Sequence, residues 1–284
     1  MLQLHLGVLL MSGSGLFAKF IDIPAVDIIT YRSIFTALFL FAVLKITRCS
    51  VRLKSFKDYK IALALGLLAG IHWATYFMSI QKTSVAIGMI TMFTYPVLTV
   101  LIEPLLNKQL PKLKDILLSS VVLIGISLLF PNLWQSNISV SQDYLLGIVL
   151  GLLSALCFAL RNIGISHYFK QYSGGHSMFY QFLISAIILL PFVELPPSEL
   201  NGKSIELLLL LSIFFTAAPH VLFASSLAKL PASTVGIIAY LQPLYGILLA
   251  AVLLAERPSF MTIFGGIIIL SAAIYKTLQS SKVP

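Results

Sequence analysis

The chain has 284 residues, of which 58% are hydrophobic and only 10% charged, and its mean hydropathy is +0.98. Soluble domains carry roughly 25% charged residues, so this chain has too little polar surface to cover a water-soluble globule. A soluble enzyme and a disordered chain are therefore excluded. Ten transmembrane helices of about 20 residues each would use most of the length and leave only short loops, which predicts an all-α polytopic membrane protein.

Charge-free apolar runs, bounded by Gly, Pro and clusters of charge, predict ten transmembrane helices. The runs are continuously apolar and do not alternate in polarity, which favours helices over a membrane barrel. The first run has no basic residues before it, so we interpret it as a helix and not as a signal peptide. In chain order the predicted spans are residues 2–18, 28–44, 61–80, 83–102, 116–130, 144–166, 177–193, 207–228, 232–254 and 260–275.

The distribution of basic residues predicts the orientation. Fourteen of the 19 Lys and Arg residues fall on one side of the membrane, including the cluster at residues 45–60, if the N-terminus is cytoplasmic. The positive-inside rule then predicts a multi-pass protein of the plasma or inner membrane with both termini in the cytoplasm. The net charge of +9 is therefore an orientation signal, and we expect a lipid bilayer and no nucleic acid as a partner. The five basic residues on the outer side are Lys19, Arg32, Lys82, Lys203 and Arg257.

The chain contains an internal repeat. Residues 72–125 match residues 219–272 without a gap, which predicts two five-helix units at residues 1–135 and 136–284. Because five is odd, the second unit must enter the membrane from the opposite side, and inverted repeats of this kind are typical of secondary transporters. The matched pairs include Lys82 with Lys229, Pro96 with Pro243, Pro111 with Pro258, Trp73 with His220, and Tyr95 with Gln242.

Several motifs resemble the EamA type of the drug/metabolite transporter (DMT) superfamily over nearly the whole chain. They are the ten spans in two fives, Arg32 early in the second span, YFMSIQKTSVAIG at residues 76–88, the mid-span Pro96 and Pro243, and Glu256-Arg257-Pro258 before the tenth span. The first repeat has Gln109-Leu110-Pro111 in place of the last motif and so lacks its acid–base pair. The resemblance implies a transporter of small metabolites, with export the commoner association.

Aromatic and hydrogen-bonding residues cluster near the middle of four predicted spans and predict a substrate pocket between the repeats. Mostly apolar walls with a few placed polar groups suit a small amphipathic or zwitterionic solute, such as an amino-acid-like compound. The alternative is structural, because Trp and Tyr also mark the membrane interface and Thr also bonds its own helix backbone. The candidate substrate-binding residues are His72, Trp73, Tyr76, Thr94, Tyr95, His220, Tyr240 and Gln242.

Four ionisable residues inside the predicted spans or next to their ends are candidates for gating or coupling, because charges are costly in a membrane. Lys19 and Arg32 are expected toward the outer ends of their helices, where they could snorkel with Asp22 and Asp27 as counter-charges. Glu103 and Arg161 are expected near the inner ends of theirs, where an ion pair between them could close an inner gate.

Two prolines and two titratable residues complete the candidate gating and coupling set. Pro96 and Pro243 each remove a backbone donor inside a span, which predicts a hinge or an exposed carbonyl, with a static kink as the alternative. Proton coupling through Glu103 or His72 is left open by the sequence, since buried carboxyl and imidazole groups can titrate near neutral pH.

These observations favour a secondary transporter that moves a small metabolite by alternating access around a midplane site. The sequence shows no phosphate loop, zinc motif or nucleophile motif, so no catalytic residue, cofactor or metal is expected. Two alternatives are a non-transporting membrane scaffold or sensor and an intramembrane enzyme that uses His72 or His220 as a base. The substrate, the direction of transport, the coupling ion and the oligomeric state are not legible in the sequence.

Overall fold

We describe the fold from a computed structural model, which covers residues 2–106, 108–111, 113–128, 141–169, 171–220, 222 and 241–280. Its α-helices are α1 Leu2–Gly13, α2 Phe17–Phe20, α3 Ala25–Ile46, α4 Phe56–Lys82, α5 Val85–Met92, α6 Tyr95–Leu106, α7 Leu113–Ser127, α8 Gln142–Gly164, α9 Gly174–Leu189, α10 Gly202–Ser212, α11 Leu241–Leu253 and α12 Phe260–Ser280. Two π-helical turns, Ile165–Phe169 after α8 and Ile213–Ala217 after α10, continue their helices.

The predicted all-α polytopic fold is confirmed. Six helical segments of the described chain are long and apolar enough to cross a membrane, and three shorter apolar helices accompany them. Each of these nine segments overlaps one predicted span, and α7 overlaps the fifth, so all ten predicted spans have a helical counterpart. The main difference lies in the first span, where a 3-10 turn at Ser14–Leu16 separates α1 from α2.

Side-chain caps set where the helices begin. At six helix starts in the described chain, a Ser or Asn oxygen accepts a hydrogen bond from the backbone N–H three residues later, which satisfies one of the donors that a helix N-terminus leaves unpaired. Polar residues in these short connections therefore fix where the apolar segments start. The capping residues are Ser55, Ser84, Ser141, Ser173, Asn201 and Ser259.

The fourth span is broken into two helices. The break lies at Phe93 and Thr94, between α5 and α6, and Pro96 is the second residue of α6. In a first turn the missing proline N–H costs nothing, because backbone donors there have no partner within the helix. Pro96 therefore begins the second segment and does not kink a continuous helix. Pro243 is buried in α11.

The packing of the spans has a regular pattern. The third span, α4, packs against the sixth and seventh, α8 and α9, while the second span, α3, packs against α9 and α10. The first span packs against the ninth and, through the π-helical turn after α10, the eighth. The fourth and fifth spans pack against the ninth and tenth, respectively. Most of the longer helices are therefore held largely by helices of the other half of the chain.

Small residues allow the closest helix contacts, as the Gly147 and Gly151 pair on the sixth span predicts. A Cβ atom added at Gly151 would lie 2.0 Å from Thr91 Oγ1, and one added at Gly147 would lie 2.6 Å from Thr83 Cγ2. These two glycines bring α8 against α4 and α5, which carry much of the site described below.

We predict that Gly151→Ala lowers the melting temperature of the purified protein, because the new methyl group forces α8 away from Thr91. Overpacking of this kind costs about 1–3 kcal/mol. Gly175→Ala is the matched control, since nothing lies within 4 Å of the added Cβ there. Equal melting temperatures for the two variants would contradict the tight α8 contact.

Candidate functional site

A cavity of about 420 Å³ lies within the bundle, and its lining comes from the first four spans and from the sixth to the ninth. Its walls combine aromatic rings with aliphatic side chains and with polar and charged groups. Six of the eight predicted substrate-binding residues line it, namely His72, Trp73, Tyr76, Tyr95, His220 and Gln242. Thr94 is buried outside the lining and donates a hydrogen bond to the Thr91 carbonyl at 2.7 Å. Tyr240 lies outside the described residues.

Helix α4 supplies one wall of the cavity through three residues within a little more than one turn. His72 and Tyr76 are one turn apart and so share a face, and their rings stack at a centroid distance of 6.4 Å. Trp73 packs flat against Phe182 of α9 at 4.2 Å, with an interplanar angle of 6°. Stacking on Phe182 therefore fixes the orientation of the indole, which also lines the cavity.

Both histidines of the cavity are anchored through Nδ1. His220 Nδ1 lies 2.6 Å from the Thr216 carbonyl, which can only accept, so Nδ1 carries the proton. His72 Nδ1 lies 2.8 Å from Ser154 Oγ and 3.1 Å from the Ser154 carbonyl. Nε2 is then the remaining polar atom of each ring. The arrangement suits two neutral, oriented imidazoles.

Arg32 lies in the cavity and not at a membrane surface. The side chain is 3% exposed, and its guanidinium carbon lies 5.0 Å from the Trp73 ring, 5.4 Å from Phe77 and 5.7 Å from Phe182. Its Nε and Nη2 atoms are buried and have no hydrogen-bond partner among the described residues. The expectation that Arg32 snorkels with an aspartate was wrong, because its helix face turns toward the bundle centre.

Arg161 of α8 enters the same cavity from the other half of the chain. It is 4% exposed, and its guanidinium carbon lies 5.6 Å from the Trp73 ring and 5.3 Å from Phe158. Its Nε donates a hydrogen bond to Gln181 Oε1, and its Nη2 contacts the Met178 sulfur at 3.7 Å. Trp73 therefore contacts two buried guanidinium groups.

The proposed ion pair between Glu103 and Arg161 is not formed. Glu103 instead contacts His167 Nε2 at 3.0 Å, and both side chains of this pair are partly exposed. The reason is the helix face: Arg161 points inward to Gln181, whereas His167 lies in the following π-helical turn and faces α6. An inner gate built on Glu103 and Arg161 is therefore not supported.

The aspartates expected to neutralise Lys19 and Arg32 have other roles. Asp27 is fully buried and accepts backbone N–H bonds from Glu194 at 3.2 Å and Leu195 at 2.8 Å. Asp22 is exposed. Lys19 donates to the backbone carbonyls of Gln81 and Thr83 at 3.1 and 3.2 Å, which fixes the end of the first span to the end of α4.

A set of polar contacts closes the end of the bundle that contains Lys19. Gln81 Nε2 donates to the Ile23 carbonyl at 2.9 Å, and Lys82 pairs with Asp143 at 2.5 Å. The Glu256 carboxylate accepts the Val85 N–H at 3.0 and 3.1 Å, where it caps the positive end of α5. We call these contacts, with those of Lys19, the Lys19-end network; it joins the first, third, fourth and sixth spans and the loop before the tenth.

At the other end, the cavity lining reaches Tyr172 in the connection between α8 and α9 and Gly174 at the start of α9. The Tyr172 hydroxyl donates to Asp58 Oδ2 at 2.8 Å and accepts the Lys54 N–H at 2.7 Å. Burial and the hydrogen bond to the Asp58 carboxylate raise the pKa of the Tyr172 phenol, which keeps it a neutral donor.

The sequence interpretation missed several lining residues, because nothing in the composition marks them. Both π-helical turns contribute, Ile165 and Phe169 from the first and Phe215 and Thr216 from the second. Single π-helical turns are common at functional sites, but they leave no clear residue pattern. The only local signal is Pro219, which follows the second turn by two residues.

The fold and the cavity between its halves define a polytopic membrane protein of transporter type. The model of the EamA-like transporter family matches residues 1–130 and 145–277. The chain therefore belongs to the EamA-like transporter family of the DMT superfamily, as its motifs predict.

Individual relatives agree with this assignment. The chain is 25% identical over 282 residues to the uncharacterized transporter YxxF of Bacillus subtilis, covering 98% of this chain and 88% of that protein. It is 27% identical over 207 residues to the uncharacterized transporter sll1319 of Synechocystis, covering 72% and 62%. A protein crystal structure superposes with a TM-score of 0.66 at 16% identity, covering 98% and 97% of the two chains, and so shares the fold.

We predict that Gln181→Leu lowers the free energy of unfolding by more than Glu103→Gln does. The first variant leaves a buried guanidinium N–H without its acceptor, which costs about 1–3 kcal/mol or more. The second removes a partly exposed ion pair that contributes about 0–1 kcal/mol. Thermal unfolding of both variants in the same detergent measures the difference, and the opposite order would contradict the roles assigned to the two contacts.

Proposed function

We propose that this chain is a secondary transporter that moves a small organic solute across the membrane by alternating access, and that the solute binds in the central cavity. Membership of a transporter family supports the first part. The second rests on one observation: the cavity is lined by side chains from both halves of the chain, including Arg32 and Trp73 from one and Arg161 and His220 from the other. Because both halves supply its walls, the shape of this site changes whenever the two halves move relative to each other.

The two halves, residues 1–135 and 136–284, are inferred to be inverted repeats. The matched pairs Trp73 with His220 and Tyr95 with Gln242 all line the cavity. Helix packing supports the same symmetry. Under such a repeat, each span of the first half corresponds to the span five places later. Spans three and six are in contact, and so are their counterparts, spans eight and one. Spans two and eight are also in contact, and so are their counterparts, spans seven and three.

The structure corresponds, in this proposal, to the state open toward the cytoplasm. The Lys19-end network joins five parts of the chain on the side that the basic residues predict to be external, whereas the lining extends toward the α8–α9 connection on the opposite side. Outward opening would then require this network to break, including the Lys82–Asp143 ion pair. Both termini lie in the cytoplasm in this orientation.

Alternating access can be tested before the substrate is known. In a background with Cys49→Ser and Cys157→Ala, Ser14→Cys places one thiol in the cavity lining. A membrane-impermeant thiol reagent is expected to label it both in intact cells and in inside-out vesicles, because the cavity opens to each side in turn. Labelling from one side only would contradict alternating access and favour a scaffold or sensor.

Two further thiols control the sidedness. The exposed native Cys49, retained as the single cysteine, should react only in inside-out vesicles. Lys203→Cys in the cysteine-free background should react only in intact cells. The reverse pattern would overturn the orientation without affecting the two-sided result for Ser14→Cys.

A cross-link at the Lys19-end network should abolish one of the two labelling reactions. A Cβ atom added at Gly147 would lie 3.1 Å from Lys82 Cβ, slightly closer than the roughly 3.5–4.5 Å spacing of disulfides. In a protein that also carries Ser14→Cys, oxidation of the double variant Lys82→Cys and Gly147→Cys should form a disulfide at this end of the bundle. This cross-link is expected to prevent labelling of the cavity thiol from outside and to preserve its labelling from inside. A reductant should restore both reactions. Unchanged labelling from outside after complete cross-linking would show that this end is not the outer gate.

A further inference from the structure

The cavity carries an excess of positive charge that its own walls do not neutralise. We propose that the transported solute is a small organic anion whose carboxylate or phosphate group binds between Arg32 and Arg161. This inference rests on the proposed function, because it assigns a chemical class to the solute of the same cavity. The argument follows from the partners of the two arginines, from the positions of the acidic residues and from the chemistry of the walls.

Arg32 is the most direct indication. Its side chain is nearly completely buried, and its Nε and Nη2 atoms have no hydrogen-bond partner in the described part of the chain. Unsatisfied buried groups of this kind are rare and costly, and a guanidinium group inside a membrane protein is costlier still. Nε and one terminal nitrogen of a guanidinium form the planar fork that binds a carboxylate or phosphate through two parallel hydrogen bonds.

Arg161 completes the anion site from the opposite half. Both guanidinium carbons lie close to the same indole, at 5.0 and 5.6 Å from the Trp73 ring, and both residues line the same cavity, so the two cations repel each other. Gln181 orients Arg161 through Nε without adding any charge. An anion bound between the two arginines would relieve the repulsion and satisfy the unpaired nitrogens of Arg32.

No protein carboxylate performs this role among the described residues. The lining residues that the structure describes include neither Asp nor Glu. Asp27 bonds backbone amides, Asp58 bonds Tyr172, Glu103 contacts His167, Asp143 pairs with Lys82, and Glu256 caps α5. Asp22, Glu194, Glu199 and Glu206 are exposed. The missing counter-charge is therefore expected to come with the solute.

The walls indicate an organic anion and not an inorganic one. Tyr76, Phe93, Tyr95, Phe158 and Phe215 surround the space next to the arginines, and their rings favour an apolar body. The cavity of about 420 Å³ is within the size range of small-ligand sites. This proposal differs from the amphipathic or zwitterionic solute that the sequence favours, because the described walls offer two cations and no anion to a second, positive group.

A structural interpretation of Arg32 makes a different prediction. Three aromatic rings lie within cation–π range of its guanidinium, and such contacts stabilise a desolvated cation by about 2 kcal/mol or more. If Arg32 served only to hold α3 against α4 and α9, an added anion would have no effect on the protein, and Arg32→Gln would act on stability alone.

The test measures thermal unfolding of the purified full-length protein with four isosteric or near-isosteric probes. Benzoate and phenyl phosphate carry the two anionic groups, benzamide is the neutral isostere of benzoate, and benzylamine is the cation. Ligands that bind the folded state raise the melting temperature. We expect a concentration-dependent rise with benzoate, phenyl phosphate or both, and the stronger of the two identifies the anionic group. Benzamide and benzylamine should produce no rise.

Variants connect the effect to the cavity. Arg32→Gln and Arg161→Gln should each weaken the apparent affinity for the anion roughly tenfold or more, as expected for loss of a hydrogen bond to a charged group. Arg32→Lys keeps the charge but not the planar fork and should bind with intermediate affinity. Lys60→Gln, which removes one positive charge outside the lining, should bind like wild type. In a Trp134→Phe background, Trp73 is the sole tryptophan, and the anion should change its emission.

Three results would overturn the inference. They are no stabilisation by either anion at millimolar concentration, equal stabilisation by benzamide or benzylamine, and anion binding that neither arginine variant weakens. Each leaves the proposed function intact if Ser14→Cys is labelled from both sides. Conversely, one-sided labelling would refute transport even if the anion binds, so the two proposals fail separately.

Discussion

The structure depends on an imbalance of charge at the centre of a membrane protein. Arg32 and Arg161 are both almost fully buried, contact one indole ring and have no acidic side chain beside them in the described cavity lining. Burying a charge without a partner is among the costliest arrangements available to a protein. Aromatic rings reduce that cost but do not cancel it. Such a site is expected to persist only where the charge has a use.

The surrounding helices keep this charged centre in place. Gly147 and Gly151 let α8 approach α4 and α5 closely, which brings Arg161 to the ring of Trp73. Phe182 supports that ring from α9, and Gln181 on the same helix orients Arg161. The two arginines come from different halves of the chain, so movement between the halves would alter their separation. In the proposed mechanism, electrostatics would thereby link binding of an anion to conformational change.

Much of the fold was predictable from the sequence because the membrane imposes simple constraints. Continuous apolar runs and polar caps such as Ser55 and Ser84 mark the helices. The four-residue spacing of His72 and Tyr76 predicts a shared helix face, because a helix repeats every 3.6 residues, and their rings stack. The predicted internal repeat pairs Trp73 with His220 and Tyr95 with Gln242, and all four residues line the cavity.

The partners of the charged residues were not predictable, because the rotation of each helix about its axis is decided by packing. Arg32 was expected to snorkel, yet its side chain faces Trp73. Glu103 was expected to pair with Arg161, yet it contacts His167. Thr94 was expected in the pocket, but it bonds the Thr91 carbonyl at the break between α5 and α6. Polarity alone does not say which way a side chain turns.

The most direct measurement is an experimental structure of the protein with 4-bromobenzoate, in which the anomalous signal of bromine locates the body of the probe. The account predicts a bromine peak within the aromatic walls and the carboxylate between Arg32 and Arg161, with hydrogen bonds of about 2.7–2.9 Å to the guanidinium nitrogens. A cavity without the probe at saturating concentration, or a carboxylate bound away from both arginines, would contradict it.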